Sequence, residues 1–200
     1  MASLKEIRKR ISSVKSTRQI TSAMKMVAAA RLRKAQDRIV KLRPYATKMQ
    51  ELLLDVSMRM EQTEGDEQYG RNGRTEKVLL IVVTSNKGLC GSFNMNVIKE
   101  TRRVIEENYS QHYKDGSLWL MTIGKTGYDY FRKRDYNIYQ NHAGIFDDLT
   151  FEKSSAIATD VMENFLEGEF DRVEFVYNKF RNAAVQDLSY ETFLPVETGD

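Results

Sequence analysis

The loop Ser85-Asn86-Lys87-Gly88-Leu89-Cys90-Gly91 follows an apolar, β-branched run and is the first place where this chain could do chemistry. In doubly wound folds the loop after the first strand often cradles a phosphate with backbone N–H groups. The glycines here do not fall in the G-x-G-x-x-G order. Gly124-Lys125-Thr126 ends like a P-loop, yet the position where that motif needs its first glycine is Trp119. Both loops therefore read as turns or subunit contacts rather than nucleotide cradles. Cys90 has no histidine near it in sequence, which argues against an activated thiol nucleophile and for a buried or loop thiol. One cysteine with His112 and His142 makes no zinc site of the usual kind and no disulfide framework. Acidic pairs such as Glu106-Glu107 and Asp147-Asp148 suit solvated helix ends or turns. Tyr128, Tyr130 and Phe131 are spaced as packing residues of a helix. No catalytic, metal or cofactor-binding constellation is expected.

The charged residues are more informative. The 31 Lys and Arg and 28 Asp and Glu leave a net charge of +3. Residues 1–43 hold thirteen bases and two acids, net +11, so the rest of the chain is net −8. Such asymmetry predicts that the first segment meets something anionic: nucleic acid, anionic lipid or an acidic protein surface.

The elements that carry these residues follow from periodicity. Between Ser3 and Met60 there is no glycine and one proline, Pro44, amid strong helix formers. This predicts one long helix, opened by a capping box of Ser3 and Glu6 and bent at Pro44. Apolar residues recur at heptad spacing from Leu4 through Ile7, Ile11, Val14, Leu32, Ile39 and Leu53 to Met60. The seam is interrupted at Arg18, Thr21 and Lys25, where Ile20, Ala23, Met24 and Val27 take up a neighbouring stripe. A seam of this length calls for a partner helix. Glycines at 65, 70 and 73 in a polar stretch predict a flexible connector over 61–76. Beyond it, strands are expected at Lys77 to Ser85, Leu118 to Ile123, Tyr136 to Gln140, Arg172 to Asn178 and Leu188 to Val196. Helices are expected at Asn96 to Tyr113, Lys125 to Arg134 and Phe151 to Leu166. The fold class is α/β: a long coiled-coil helix over 1–60, a connector, and a mostly parallel Rossmann-like domain over 77–200. The longest apolar run, Val78 to Val83, is too short to cross a membrane. The charged N-terminus does not read as a secretory signal, so a cytoplasmic location is expected.

Three blocks resemble a known family. The run Lys5-Glu6-Ile7-Arg8 through Ile20-Thr21-Ser22-Ala23-Met24-Lys25-Met26-Val27-Ala28-Ala29-Ala30, with Arg43-Pro44-Tyr45, is similar to the first helix of ATP synthase gamma subunits. Ser85 to Asn94 resembles that family's glycine loop after the first strand, and Tyr177-Asn178-Lys179-Phe180 its later strand end. The resemblance implies a non-catalytic central stalk on the cytoplasmic side of the bacterial membrane, held there peripherally. It implies alpha and beta subunits, the epsilon subunit and the membrane proton ring as partners, with no nucleic acid and no cofactor. Ile20, Met24, Lys25 and Val27 would face the alpha and beta hexamer, and Arg31 and Arg33 would meet acidic loops of beta. Arg43, Tyr45 and Lys87 would sit lower, toward beta loops, epsilon or the ring. The family's second long helix, which would follow the last strand and pair with the seam, is expected to be missing from this chain.

Two other functions compete. A homodimeric coiled coil with a basic arm could bind nucleic acid, giving steeply salt-dependent affinity. A nucleotide-dependent α/β enzyme could use the loops at Gly88 or Gly124.

Overall fold

The computed structural model describes residues 3–60, 69, 75–182 and 184–196, and resolves into two compact units, 1–56 and 57–200. Helix α1, which makes up the first, runs Leu4–Met60, its last four residues falling in the second; its 57 residues span about 85 Å at ~1.5 Å per residue. Its start is capped as expected: the Glu6 carboxylate accepts the Ser3 N–H at 3.2 Å. The Ser3 hydroxyl oxygen accepts from Lys5 N–H at 3.3 Å, one residue earlier than in the usual box. The helix continues through Pro44 without ending. Its seam residues Leu4, Ile7, Ile11, Val14, Leu32 and Leu53 are exposed. The expected connector lies outside the described residues except at Tyr69, Thr75 and Glu76.

The second unit has the order β1 (Val78–Val83), α2 (Phe93–Asn108), α3 (Ser110–Asp115), β2 (Leu118–Ile123) and α4 (Lys125–Phe131). It continues with β3 (Ile138–Asn141), a 3-10 turn (Ala143–Asp147), α5 (Phe151–Leu166), β4 (Arg172–Phe180) and β5 (Gln186–Leu194). The sheet order is β3-β2-β1-β4-β5, with β5 antiparallel to β4 and every other pair parallel. β1 at the centre explains its unbroken apolar run, because alternate residues serve opposite faces. Val78, Leu80 and Val82 pack with Val97, Ile98, Val104 and Ile105 of α2, whereas Leu79 and Ile81 pack with Val161 and Phe165 of α5.

Several boundaries differ from expectation. The helix expected over Asn96 to Tyr113 begins earlier, at Phe93, and breaks at Tyr109, where φ −128° and ψ 22° leave the helical region. Tyr109 is buried there in the α2-side core, so packing of one ring outweighs helix continuity. The helix expected to reach Arg134 stops at Phe131, followed by turns and a left-handed Asp135 at φ 55°. Tyr136 precedes β3 rather than opening it, and its ring meets Phe131 edge-on at 5.0 Å. β4 runs two residues past Asn178, and β5 lies earlier than Leu188 to Val196.

Candidate functional site

Two regions carry the residues of interest. On α1, successive residues turn by about 100° around the axis, so Ile20, Met24, Val27 and Arg31 fall on one stripe about 60° wide. Lys25 and Arg33 fall on the opposite side of the same turns. The helix thus brings four of the six expected head-contact residues together and separates two. Ile20, Met24 and Val27 are 52–65% exposed, with no side chain of their own unit covering them. Arg43 and Tyr45 lie further along the same helix and are also exposed.

The second region is the C-terminal edge of the parallel strands, where the loops after β1 and β2 meet. Lys87 is exposed here, at the foot of a tip formed by Leu89 (φ 59°) and Gly91 (φ 60°). Cys90 is exposed as well, correcting the buried alternative for this thiol and leaving the loop one. Beneath the tip the two loops are stitched together. Buried Asn94 accepts the Ser85 N–H at 2.9 Å and donates to the Ser85 hydroxyl at 2.9 Å and the Thr126 hydroxyl at 3.3 Å. Asn86 donates to the Ala143 carbonyl at 2.6 Å and accepts the Lys125 N–H at 2.9 Å.

This stitching bears on the Gly124 loop as a phosphate cradle. A P-loop presents unpaired N–H groups at the start of its helix to the phosphate. In α4 those groups are consumed: Lys125 N–H by Asn86, Thr126 N–H by the Ser85 carbonyl at 3.3 Å and Gly127 N–H by the Thr84 hydroxyl at 2.9 Å. Gly124 is pressed against β1, where an added Cβ would stand 2.1 Å from the Thr84 carbonyl oxygen. The strand order reverses direction between β1 and β4, the usual ligand crevice of such sheets. There Asn178 donates to the Phe93 carbonyl at 2.9 Å, tying the start of α2 to β4. At the start of α4, the chain's own groups thus take the N–H donors that a phosphate would use.

Among the described residues, neither imidazole hydrogen-bonds a serine, threonine or cysteine side chain. His142 hydrogen-bonds the Gln140 side-chain oxygen at 2.8 Å, and Gln140 donates to Asp160 at 3.0 Å. Burial pushes the His142 imidazole below its usual value, with the Asp160 carboxylate pulling weakly the other way. The second nitrogen of His112 has no partner, while the first pairs with the Thr75 carbonyl at 3.1 Å.

Sequence reasoning missed the polar residues that build this edge. Asn86, Asn94 and Asn178 all fell within the blocks that resembled a family, and Thr126 closes the Gly124 turn. Their types were visible; their mutual contacts join residues up to 85 positions apart, which no local pattern reports.

A long helix with an exposed apolar and basic surface, joined in sequence to a doubly wound sheet with one antiparallel edge strand, defines the class of protein. Comparison with known proteins identifies the kind. Residues 3–200 match the family described as ATP synthase. The ATP synthase gamma chain of Flavobacterium johnsoniae is 49% identical over 196 residues, covering 98% of this chain and 66% of that one. The gamma chain of Chloroherpeton thalassium is 45% identical, with 98% and 64% covered. A chain in the cryo-EM structure of the Tetrahymena thermophila mitochondrial ATP synthase central stalk and c-ring superposes with a TM-score of 0.65 at 26% identity. That superposition covers 88% of this chain and 72% of the other. The chain belongs to the ATP synthase gamma-chain family, and spans about two thirds of the length of the curated relatives it matches. This membership lends no support to a nucleic-acid-binding coil.

Proposed function

We propose that this chain serves as the central-stalk rotor of a proton-translocating ATP synthase and is not itself a catalyst. It couples rotation of the membrane proton ring to conformational change at catalytic sites on the beta subunits. The observation that carries the reading is the family match over residues 3–200, which includes the whole of α1 and the sheet. The exposed stripe of Ile20, Met24, Val27 and Arg31 supports contact with the inner surface of the alpha and beta hexamer. Lys25 and Arg33, on the other side of α1, would meet different subunits of that ring at the same moment. This asymmetry is useful, because a shaft biases a site only if it touches each state differently. Arg43, Tyr45 and Lys87 are assigned to beta loops, the epsilon subunit or the proton ring. The complex would hold the chain at the cytoplasmic side of a bacterial membrane; among the described residues no helix is long and apolar enough to cross one.

A chimera tests the proposal. Residues 3–200 replace the matching segment of the Flavobacterium johnsoniae gamma chain, and the product is assembled with all the other ATP synthase subunits of that organism, the membrane proton ring included. Assembly with proton-driven ATP synthesis in reconstituted vesicles is the expected result. A folded chimera that never enters the complex would sink the assignment.

A further inference from the structure

The α/β unit buries one carboxylate that no expected site uses. Glu174 on β4 is 1% exposed. One of its oxygens accepts Arg172 Nε at 2.6 Å and the other accepts the Tyr190 hydroxyl of β5 at 2.5 Å. Arg172 also donates to the Thr192 hydroxyl at 2.9 Å. Asn108, at the end of α2, donates to Tyr190 Oη at 3.4 Å. Burial, then the Tyr190 hydroxyl and the Glu174 charge, push the neighbouring Tyr109 phenol far up, so this group stays neutral.

The network sits where the β4–β5 ladder slips. Val173 pairs with Leu194, yet Glu174 pairs with Thr192, leaving Phe193 as an extra residue on β5. The effect on side-chain direction is large, since alternation is interrupted at a bulge. Tyr190 and Val176 face the α2-side core. Without the bulge, residue 194 would share the face of Tyr190 and Thr192. With it, Phe193 and Leu194 both point into the α5-side core, where Phe193 meets Phe175 edge-on at 5.3 Å. Pro195 is buried next, and Val196 N–H donates to the Tyr69 carbonyl at 2.9 Å. Tyr69 in turn stacks on Phe165, with centroids 6.4 Å apart. The segment entering the α/β unit and the segment leaving β5 are thereby joined.

We infer that Glu174 is a register lock: by binding Arg172 and Tyr190 it holds the bulge at Phe193 and clamps Leu194–Val196 to Tyr69 as one joint. Two features argue for a lock rather than general adhesion. A carboxylate buried this deeply is costly unless every oxygen is engaged, so registers that strand it are strongly disfavoured. The cross-strand bonds, Tyr190 to Glu174 and Arg172 to Thr192, also come as a pair that this register brings together, with Arg172 and Glu174 on either side of the slip in β4.

Hydrogen exchange on the full chain tests it, using amides of β1 and β2 as an internal reference for folding. Glu174→Leu keeps bulk and removes the acceptor, whereas Glu174→Gln keeps an acceptor for Tyr190. Amides of residues 192–194 and 196 should exchange about tenfold faster or more in Glu174→Leu, with β1 and β2 unchanged, and Glu174→Gln should restore most of the protection. Tyr190→Phe deletes one hydroxyl and should show the same localised acceleration, which decides the matter if Glu174→Leu does not fold. Unchanged protection at 192–194 and 196 in the folded variants, or equal acceleration across β1 and β2, would overturn the lock.

Discussion

Two single residues carry effects that composition does not announce. Gly124 stands at φ +110° with Thr84 backbone directly against it, so both conformation and space demand glycine. Gly124→Ala should destabilise the α/β unit by about 2 kcal/mol or more, read as a lower midpoint in urea. Gly88, in the neighbouring loop, has no heavy atom within 4 Å of an added Cβ. Gly88→Ala is the matched control, expected to stay within about 0.5 kcal/mol. His142 bears on pH. Its folded imidazole takes a proton less readily than the usual 6.5, chiefly because it is buried. The unfolded chain therefore binds more protons in that range, so stability rises with pH there. The penalty is absent well above pH 6.5, grows as pH falls through it and levels off below the folded value. Thermal midpoints between pH 5 and 8 should show this slope, and His142→Asn should flatten it. An unchanged slope would assign the effect to other groups.

The elements show which readings local chemistry can support. β2 and α5 begin and end where the pattern places them, because Leu118 to Ile123 alternates into two cores and Thr150 caps α5 through Lys153 N–H. α1 was equally legible, since between Ser3 and Met60 only Pro44 competes with helix and the helix runs through it. The errors cluster where a distant partner decides. Tyr109 leaves the helix to enter a core shared with Tyr190, and β5 follows its pairing with β4 from Gln186 to Leu194, with a bulge at Phe193. The candidate site divides the same way: Lys87 and the glycines were readable as a loop, whereas the asparagines that close it were not readable as a network. Those asparagines give a prediction at this scale. Asn94 is nearly fully buried and joins the loops after β1 and β2. Asn94→Ala leaves the Ser85 N–H and hydroxyl short of partners, costing about 1–3 kcal/mol. Amides of Ser85 to Thr126 at this edge should lose protection before those of β4 do. Uniform loss across the sheet would show that the stitch has no local role.

At the scale of the whole molecule, the two units differ in how they are held together. The α/β unit buries two cores on either side of one sheet, so it contains its own stabilising contacts. In α1 the apolar residues are turned outward: Leu4, Val14, Met24, Val40 and Leu42 are all more than 60% exposed. Apolar area is worth about 25 cal/mol per Å² when removed from water, and a dozen such side chains leave a large driving force unmet. The basic charge of residues 1–43 opposes close pairing of two such helices at low salt, and screening relieves that opposition. The isolated chain should therefore self-associate through residues 4–53, more strongly at 0.5 M salt than at 0.05 M, while the β1 and β2 amides remain protected throughout. Sedimentation across a concentration series, with hydrogen exchange on the same samples, reads both quantities. A chain that sediments as a monomer at every salt concentration, with α1 amides strongly protected, would mean that this helix stands without a partner, and the need for one argued from its seam would be wrong.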